Sequence, residues 1–227
     1  MKILISDFDR TLYTDAYEKN IEMINKFRKK GNIFAVATGR PLVFLKKDLG
    51  KLNADYYICN DGTTIFDHEF NLLHCETIDK KITKKIINDL LNSNSLKDWF
   101  ISEPTEITKN YDGIICGILG KPLDHNNKFT DNINNTYTEV YAYNSTSWIN
   151  IVRNGISKKS GILKLMELKN FKYEDIITVG DNYNDIEMNK YFESYCVKNS
   201  KKELIQASKH QVNEVFDIIN KTNQIND

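Results

Sequence analysis

The sequence lacks a surplus of charge: 31 lysines and arginines are matched by 31 aspartates and glutamates over 227 residues. A balanced chain sets up no net field for nucleic acid or an anionic membrane, so neither is expected as a partner, and only a local phosphate site stays open. No apolar stretch has the length needed to span a bilayer. The amino terminus carries only a strand-length apolar run before two aspartates, which is not the pattern of a signal peptide. The four cysteines, Cys59, Cys75, Cys116 and Cys196, are scattered without close pairing, each in an apolar context. Buried, reduced thiols in a cytoplasmic protein are the expectation. His68, His74, His125 and His210 show no zinc spacing among themselves or with the cysteines. Repeats and low-complexity tracts are also missing. The apolar and charged fractions, 41% and 27%, are those of an ordinary globular protein, and the chain is long enough to bury a core.

What is present is concentrated at the start. Ile3-Leu4-Ile5 is a short unbroken apolar run, the pattern of a strand buried on both faces. It leads into Asp7 and Asp9, which share one side of an extended segment because side chains alternate with period two. Like charges that close need a cation or a proton between them. On these residues alone, a strand followed by an Asp/Thr turn is the plain alternative.

Downstream, Ile21, Ile24 and Phe27 keep a helical period that Gly31 ends. Ile33–Ala37 reads as a second buried strand running into Thr38-Gly39-Arg40-Pro41, with Pro41 in the first turn of a helix that reaches Gly50. Tyr56–Cys59 is a third strand, so strands and helices alternate as in right-handed βαβ units. Asn60-Asp61-Gly62 makes a turn, and Thr63–Phe66 with Leu72–Cys75 a hairpin. From about Asp79 the texture changes. An amphipathic helix carries Ile82, Ile86, Ile87, Leu90 and Leu91 and closes in the polar run Asn92–Ser95. Strands follow at Trp99–Ile101, Ile114–Leu119, Thr138–Tyr143 and Trp148–Val152, with an Asn-rich segment before the third and an Asn144-Ser145-Thr146 turn after it. An inserted α+β domain over residues 79–154 is expected inside an α/β domain of residues 1–78 and 155–227. The latter resumes with a helix at Ser160–Lys169, a strand at Ile176–Val179, the turn Gly180-Asp181-Asn182-Tyr183-Asn184-Asp185, a helix through Met188 and a strand at Tyr195–Val197. Ser200-Lys201-Lys202-Glu203 has capping-box spacing for the next helix, and Val215, Ile218 and Ile219 mark a closing one.

Three of these strands end in polar groups, at Asp7 and Asp9, at Thr38, and at Asp181 with Asp185. In a parallel sheet all would lie on one edge, where such sheets bind ligands, with Lys158 at a nearby helix start. In this order and spacing, Asp7-Phe8-Asp9-Arg10-Thr11-Leu12, Ala37-Thr38-Gly39-Arg40, Ile156-Ser157-Lys158 and Gly180-Asp181-Asn182-Tyr183-Asn184-Asp185 resemble the four motifs of the haloacid dehalogenase-like (HAD) phosphatases, Cof-type or IIB branch. The resemblance implies a Rossmann-like parallel-sheet core with an inserted α+β cap and an Mg²⁺-dependent phosphatase of a small phosphorylated metabolite, a sugar phosphate being the expected kind. By the same resemblance, Asp7 would be the nucleophile forming an aspartyl-phosphate and Asp9 the general acid and base. Thr38, Gly39 and Lys158 would hold the phosphate. The Asp7 carboxylate, the Asp9 carbonyl, Asp181 and Asp185 would hold the metal, an all-oxygen set that suits Mg²⁺. Lys159, adjacent to Lys158, is the rival for the phosphate lysine.

Arg40 and Asn184 are candidate substrate contacts, as are Tyr111, Tyr141, Tyr143 and Trp148 in the cap. Two positions depart from the family pattern. Arg10 stands where Gly is usual, and Asp61 where Asn is usual before Gly62. A sugar phosphomutase and a non-catalytic phospho-aspartate regulator remain alternatives, and oligomeric state is left open.

Overall fold

The computed structural model describes residues 1–93, 96–123, 128–145 and 148–225. Asn94 and Ser95 of the expected helix-closing run, and Thr146 of the expected turn, lie outside them. Along the chain the elements are β1 (Ile3–Ser6), α1 (Tyr17–Lys29), β2 (Ile33–Ala37), α2 (Leu42–Asp48), β3 (Tyr56–Cys59), β4 (Thr64–Asp67), β5 (Leu72–Cys75), α3 (Lys80–Asn92), β6 (Leu96–Ser102), β7 (Ile107–Thr108), β8 (Gly117–Pro122), α4 (Lys128–Thr136), β9 (Val140–Asn144), β10 (Ile149–Arg153), α5 (Lys158–Lys169), β11 (Ile176–Gly180), α6 (Ile186–Tyr191), β12 (Glu193–Val197), α7 (Lys202–Ala207), β13 (His210–Val212) and α8 (Val215–Ile225).

An eight-stranded sheet has the order β13-β12-β11-β1-β2-β3-β4-β5. Its first six strands are parallel and β4 and β5 close one edge antiparallel. β1 is central, between β2 and β11. That position explains its unbroken apolar run, because both faces are covered. Leu4, Phe34 and Val36 face one core with Ile24, Phe27 and Ile218. Ile3, Ile5, Ala35 and Ala37 face the other with Ile162, Leu165 and Met188.

The second sheet is antiparallel, in the order β7-β6-β8-β10-β9. One face is apolar: Ile101, Ile118, Ile149, Ile151, Val140 and Ala142 pack with Ile86, Ile87 and Leu90 of α3 and Phe129 and Ile133 of α4. By the period-two rule, the alternate residues of these strands occupy the opposite face. On that face Phe100 pairs with Leu119, Leu119 with Asn150, and Asn150 with Tyr143.

The parallel core, the hairpin and the antiparallel second sheet match the expected architecture. The differences are local. α4 lies in the Asn-rich segment, where Phe129, Ile133 and Tyr137 recur every four residues and bury against the sheet; asparagine-rich composition concealed that period. β8 begins at Gly117, three residues late. The capping box expected at Ser200 does not form. Lys201 caps α7 without a side-chain bond, because the Ser200 hydroxyl donates instead to the Val197 and Gly180 carbonyls. Capping boxes form instead at α5, between Ser157 and Ser160, and at the turn before α6, between Asn182 and Asp185. Cys75 and Cys116, which look unrelated in sequence, bring their Sγ atoms to 3.1 Å, and both remain free thiols.

Candidate active site

The carboxyl ends of β1, β2 and β11 meet at one point of the parallel edge. Asp7 extends β1 by one bond, its N–H donating to the Val179 carbonyl at 2.9 Å. Its carboxylate is buried. Lys158, at the start of α5, is wholly enclosed and places its Nζ 2.5 Å from Asp7 Oδ1 and 2.6 Å from Asp185 Oδ1. Lys159 turns outward to Glu187 at 3.2 Å, so of the two lysines only Lys158 meets the aspartates.

Backbone geometry brings α5 to this edge. Gly62 has φ +107°, and a Cβ there would collide with the Ser157 carbonyl, so the Asn60-Asp61-Gly62 turn presses directly on the helix start. Asn60 and Asp61 both take left-handed backbone, which Asn and Asp tolerate better than other side chains. Gly180 has a similar reason: a Cβ would strike the Asp185 carboxylate. Asp185 Oδ2 accepts from the Asp181 and Asn182 N–H groups at 3.0 Å each and shapes that turn around itself.

Asp7, Asp181 and Asp185 form a cluster whose carboxylate oxygens lie within 4.8 Å of one another. Asp9 is not part of it. Its half-exposed carboxylate is forked by Arg40, which donates Nε at 2.7 Å and Nη2 at 2.5 Å, and Arg40 is held in turn by Asp48 at 2.5 Å. The Asp9 carboxylate therefore pairs with Arg40 rather than facing Asp7, and the carboxylates gathered beside Asp7 are Asp181 and Asp185. Asp48 was not legible as a site residue, because nothing in the sequence ties the end of α2 to Arg40.

Thr38 is buried, its hydroxyl accepting from the Arg40 N–H at 3.2 Å. Gly39 lies close to the Asp61 carboxylate. Asp61 is buried. Its Oδ1 accepts from Asn184 Nδ2 at 2.9 Å, and its Oδ2 accepts from the Tyr143 hydroxyl, a direct bond from the turn after β3 to β9 of the second sheet. Asn184 thus faces Asp61. Arg10 adopts φ +58° and sets its Nε 3.6 Å from Asp181 Oδ2. A glycine takes that conformation without the roughly 1 kcal/mol or more that a Cβ adds, which accounts for Gly being usual there. Tyr143 and Trp148 line the cavity above the aspartates, of about 600 Å³. Tyr111 packs against the second sheet's core, and Tyr141 is exposed and stacks on Tyr143, so neither reaches the cavity.

The electrostatics follow from burial. Desolvation pushes the Asp7 carboxyl up to about 8, a rise that Asp185 and Asp181 add to and Lys158 only partly offsets. Burial and Asp185 raise Asp181 as well. Burial alone would lower the Lys158 ammonium, but Asp185, Asp7 and Asp61 outweigh it and hold the lysine charged. Asp7 Oδ2 is buried without a partner. Three clustered carboxylates, an orphaned oxygen and oxygen-only donors fit a small hard divalent cation.

A pH dependence follows. In chelator-treated protein, folded Asp7 keeps its proton up to about pH 8, whereas the unfolded chain releases it near 3.8. The stabilisation is fully present below the unfolded value and is lost as pH rises through the folded one. The melting temperature is therefore expected to fall between about pH 5 and pH 8, and millimolar Mg²⁺ to restore it most at the alkaline end. A melting temperature that climbs over that window without metal would contradict this account.

The family model for haloacid dehalogenase-like hydrolases matches residues 4–113 and 103–217. A protein of Mycoplasma capricolum is 29% identical over 96% of this chain and 98% of its own length. The 5-amino-6-(5-phospho-D-ribitylamino)uracil phosphatase YcsE of Bacillus subtilis is 25% identical over 84% of this chain and 80% of its own. A phosphoglycolate phosphatase of Thermoplasma volcanium is 26% identical, over 81% and 75%. Among solved structures, a HAD subclass IIB sugar phosphatase superposes with a TM-score of 0.83 at 16% identity, over 100% of this chain and 99% of that one. A haloacid dehalogenase-like hydrolase from Bacteroides thetaiotaomicron gives 0.81 at 16%, over 97% and 99%.

Proposed function

The chain belongs to the haloacid dehalogenase-like hydrolase family, and from that premise we propose that it is an Mg²⁺-dependent phosphatase of a sugar phosphate. Phosphatase activity on small phosphorylated metabolites follows from the family and from the relatives. The observation that carries the finer reading is the enclosed Lys158 bridging Asp7 and Asp185 while Asp7 Oδ2 stays unpartnered at the sheet edge beneath a cavity.

Residues 1–78 and 155–227 are the catalytic domain in this reading, and residues 79–154 a cap that closes the cavity from above. Asp7 attacks the phosphorus to give an aspartyl-phosphate. Asp9, whose orientation Arg40 fixes, protonates the leaving oxygen and then takes a proton from the attacking water. Thr38, the backbone at Gly39 and Lys158 hold the phosphoryl oxygens and offset their charge. The Asp7 carboxylate, the Asp9 carbonyl and Asp181 would hold Mg²⁺, with Asp185, whose oxygens already carry Lys158 and the Asp181 turn, joining directly or through water. The ion supplies charge neutralisation between nucleophile and phosphate. Protein purified and supplied with Mg²⁺ is expected to release phosphate from p-nitrophenyl phosphate and from sugar phosphates in a metabolite panel. No release from any of them would refute the reading.

A further inference from the structure

Asn150 has no role in the chemistry above, yet its situation is unusual. It is the second residue of β10, a strand that pairs on both sides, with β8 and with β9. Its neighbours Ile149 and Ile151 bury into the second sheet's core, so Asn150 falls on the opposite face and lines the cavity. It is 7% exposed, and its side-chain amide makes no hydrogen bond among the described residues. Its amide is not sealed in the protein but opens on the cavity. An interior strand ordinarily carries a β-branched or aromatic residue at such a position. No protein group uses the amide, so its donors and acceptor are left for whatever occupies the cavity.

The surroundings narrow that ligand. The second sheet contributes Leu119, Tyr143 and Asn150 to the cavity wall, and Ser145 and Trp148, which flank its strands β9 and β10, add to it; all five are uncharged. The two arginines of the same cavity, Arg10 and Arg40, stand on the other side and pair with Asp181 and with Asp9 and Asp48, so the part of the substrate that meets this wall is neutral; a carboxylate or second phosphate there would lack a counter-charge of its own. Trp148 sits between the two halves of the molecule, its ring 6.0 Å from Phe100 and 6.4 Å from Phe44 of α2. Phe44, Leu119 and Trp148 together give the cavity an apolar wall suited to the flat C–H face of a ring. Asn150 offers one acceptor oxygen and two donor hydrogens side by side, which matches two adjacent hydroxyls.

We infer that Asn150 is a specificity-determining residue that reads adjacent hydroxyls on a neutral, ring-shaped leaving group, seated against Trp148 and Phe44. The inference rests on the phosphatase reading of the site and adds the kind of leaving group it accepts: closed-ring sugar phosphates, ahead of open-chain polyol phosphates and of phosphorylated hydroxy acids.

The test is steady-state kinetics of the Mg²⁺-loaded enzyme on closed-ring hexose and pentose phosphates, sorbitol 6-phosphate, phosphoglycolate and p-nitrophenyl phosphate. Wild type and Asn150→Leu are compared, with Asn150→Ala as a second variant. Closed-ring substrates are expected to lead the panel by about tenfold or more. Asn150→Leu is expected to lower their kcat/KM by about 10²-fold while leaving p-nitrophenyl phosphate, which has no hydroxyls, within about threefold. The melting temperature of Asn150→Leu should stay level or rise, since no protein hydrogen bond is lost; a structural role would lower it. Equal losses on both kinds of ester, an unchanged sugar-phosphate rate in both variants, or wild-type preference for phosphoglycolate or sorbitol 6-phosphate would overturn the inference alone. Failure to hydrolyse any ester, p-nitrophenyl phosphate included, would overturn the phosphatase reading together with it.

Discussion

Asp7→Asn is expected to abolish turnover, lowering kcat by about 10⁴-fold or more, the scale seen when a nucleophile is removed. An amide oxygen is too poor a nucleophile to form the phospho-enzyme, and among the described residues no other carboxylate stands in the place of Asp7. The Asp9 carboxylate is held by Arg40, and Asp185 is committed through both oxygens to Lys158 and to the Asp181 turn. The variant should nevertheless fold. Without metal the Asp7 carboxyl already keeps its proton up to about pH 8, so a neutral amide of the same shape resembles the state it replaces. Lys158 retains Asp185. The stability loss should stay within about 1–2 kcal/mol, and the Mg²⁺-induced rise in melting temperature should shrink because a ligand is gone. Phosphate release measured with Mg²⁺ present decides the matter: a rate within tenfold of wild type would remove Asp7 from the nucleophile's place.

Lys158→Met carries the second large effect, on both activity and stability. The substitution keeps most of the volume and removes the enclosed ammonium that pairs with both Asp7 and Asp185. Breaking a buried ion pair by deleting one partner costs about 3–5 kcal/mol, because the remaining charges stay buried without compensation. The loss should be greatest in chelator and smaller in Mg²⁺, since a divalent ion supplies part of the missing charge. Turnover should drop by about 10²–10³-fold even with saturating Mg²⁺, as when a preorganised donor to the transition state is removed. Lys159→Met is the internal control. That side chain pairs with Glu187 at the surface, where ion pairs contribute about 0–1 kcal/mol, and its variant should keep activity within about twofold. If the two variants behaved alike, the assignment of the phosphate lysine would be wrong.

Some positions were readable early because their signal is local. The run Ile3–Ile5 announces a strand covered on both sides, and it lies at the centre of the sheet. Gly62 and Gly180 stand where backbone meets backbone or carboxylate too closely for a Cβ. Asp7, Thr38 and Asp181 each follow a buried strand, so parallel pairing alone carries them to one edge.

Other features depend on which segments meet. Arg40 and Asp48 are eight residues apart, but that Arg40 also grips Asp9 depends on the pairing of β1 with β2. α4 was concealed by composition, and the α7 cap failed because the Ser200 hydroxyl found two carbonyls nearer than its own helix. In sequence Asp61 is only a departure from the family's Asn, and only the folded chain shows it accepting from Tyr143 of the second sheet and from Asn184.

The sequence by itself determined the family and the α/β core with its separate antiparallel sheet, because these rest on strand periodicity and on motifs whose residues are neighbours in the chain. Tertiary structure alone decided which carboxylate joins Asp7, which lysine neutralises it, and which face of the second sheet looks into the cavity. Those facts depend on distances between segments far apart in sequence and on a side chain, Asn150, whose meaning lies in having no partner.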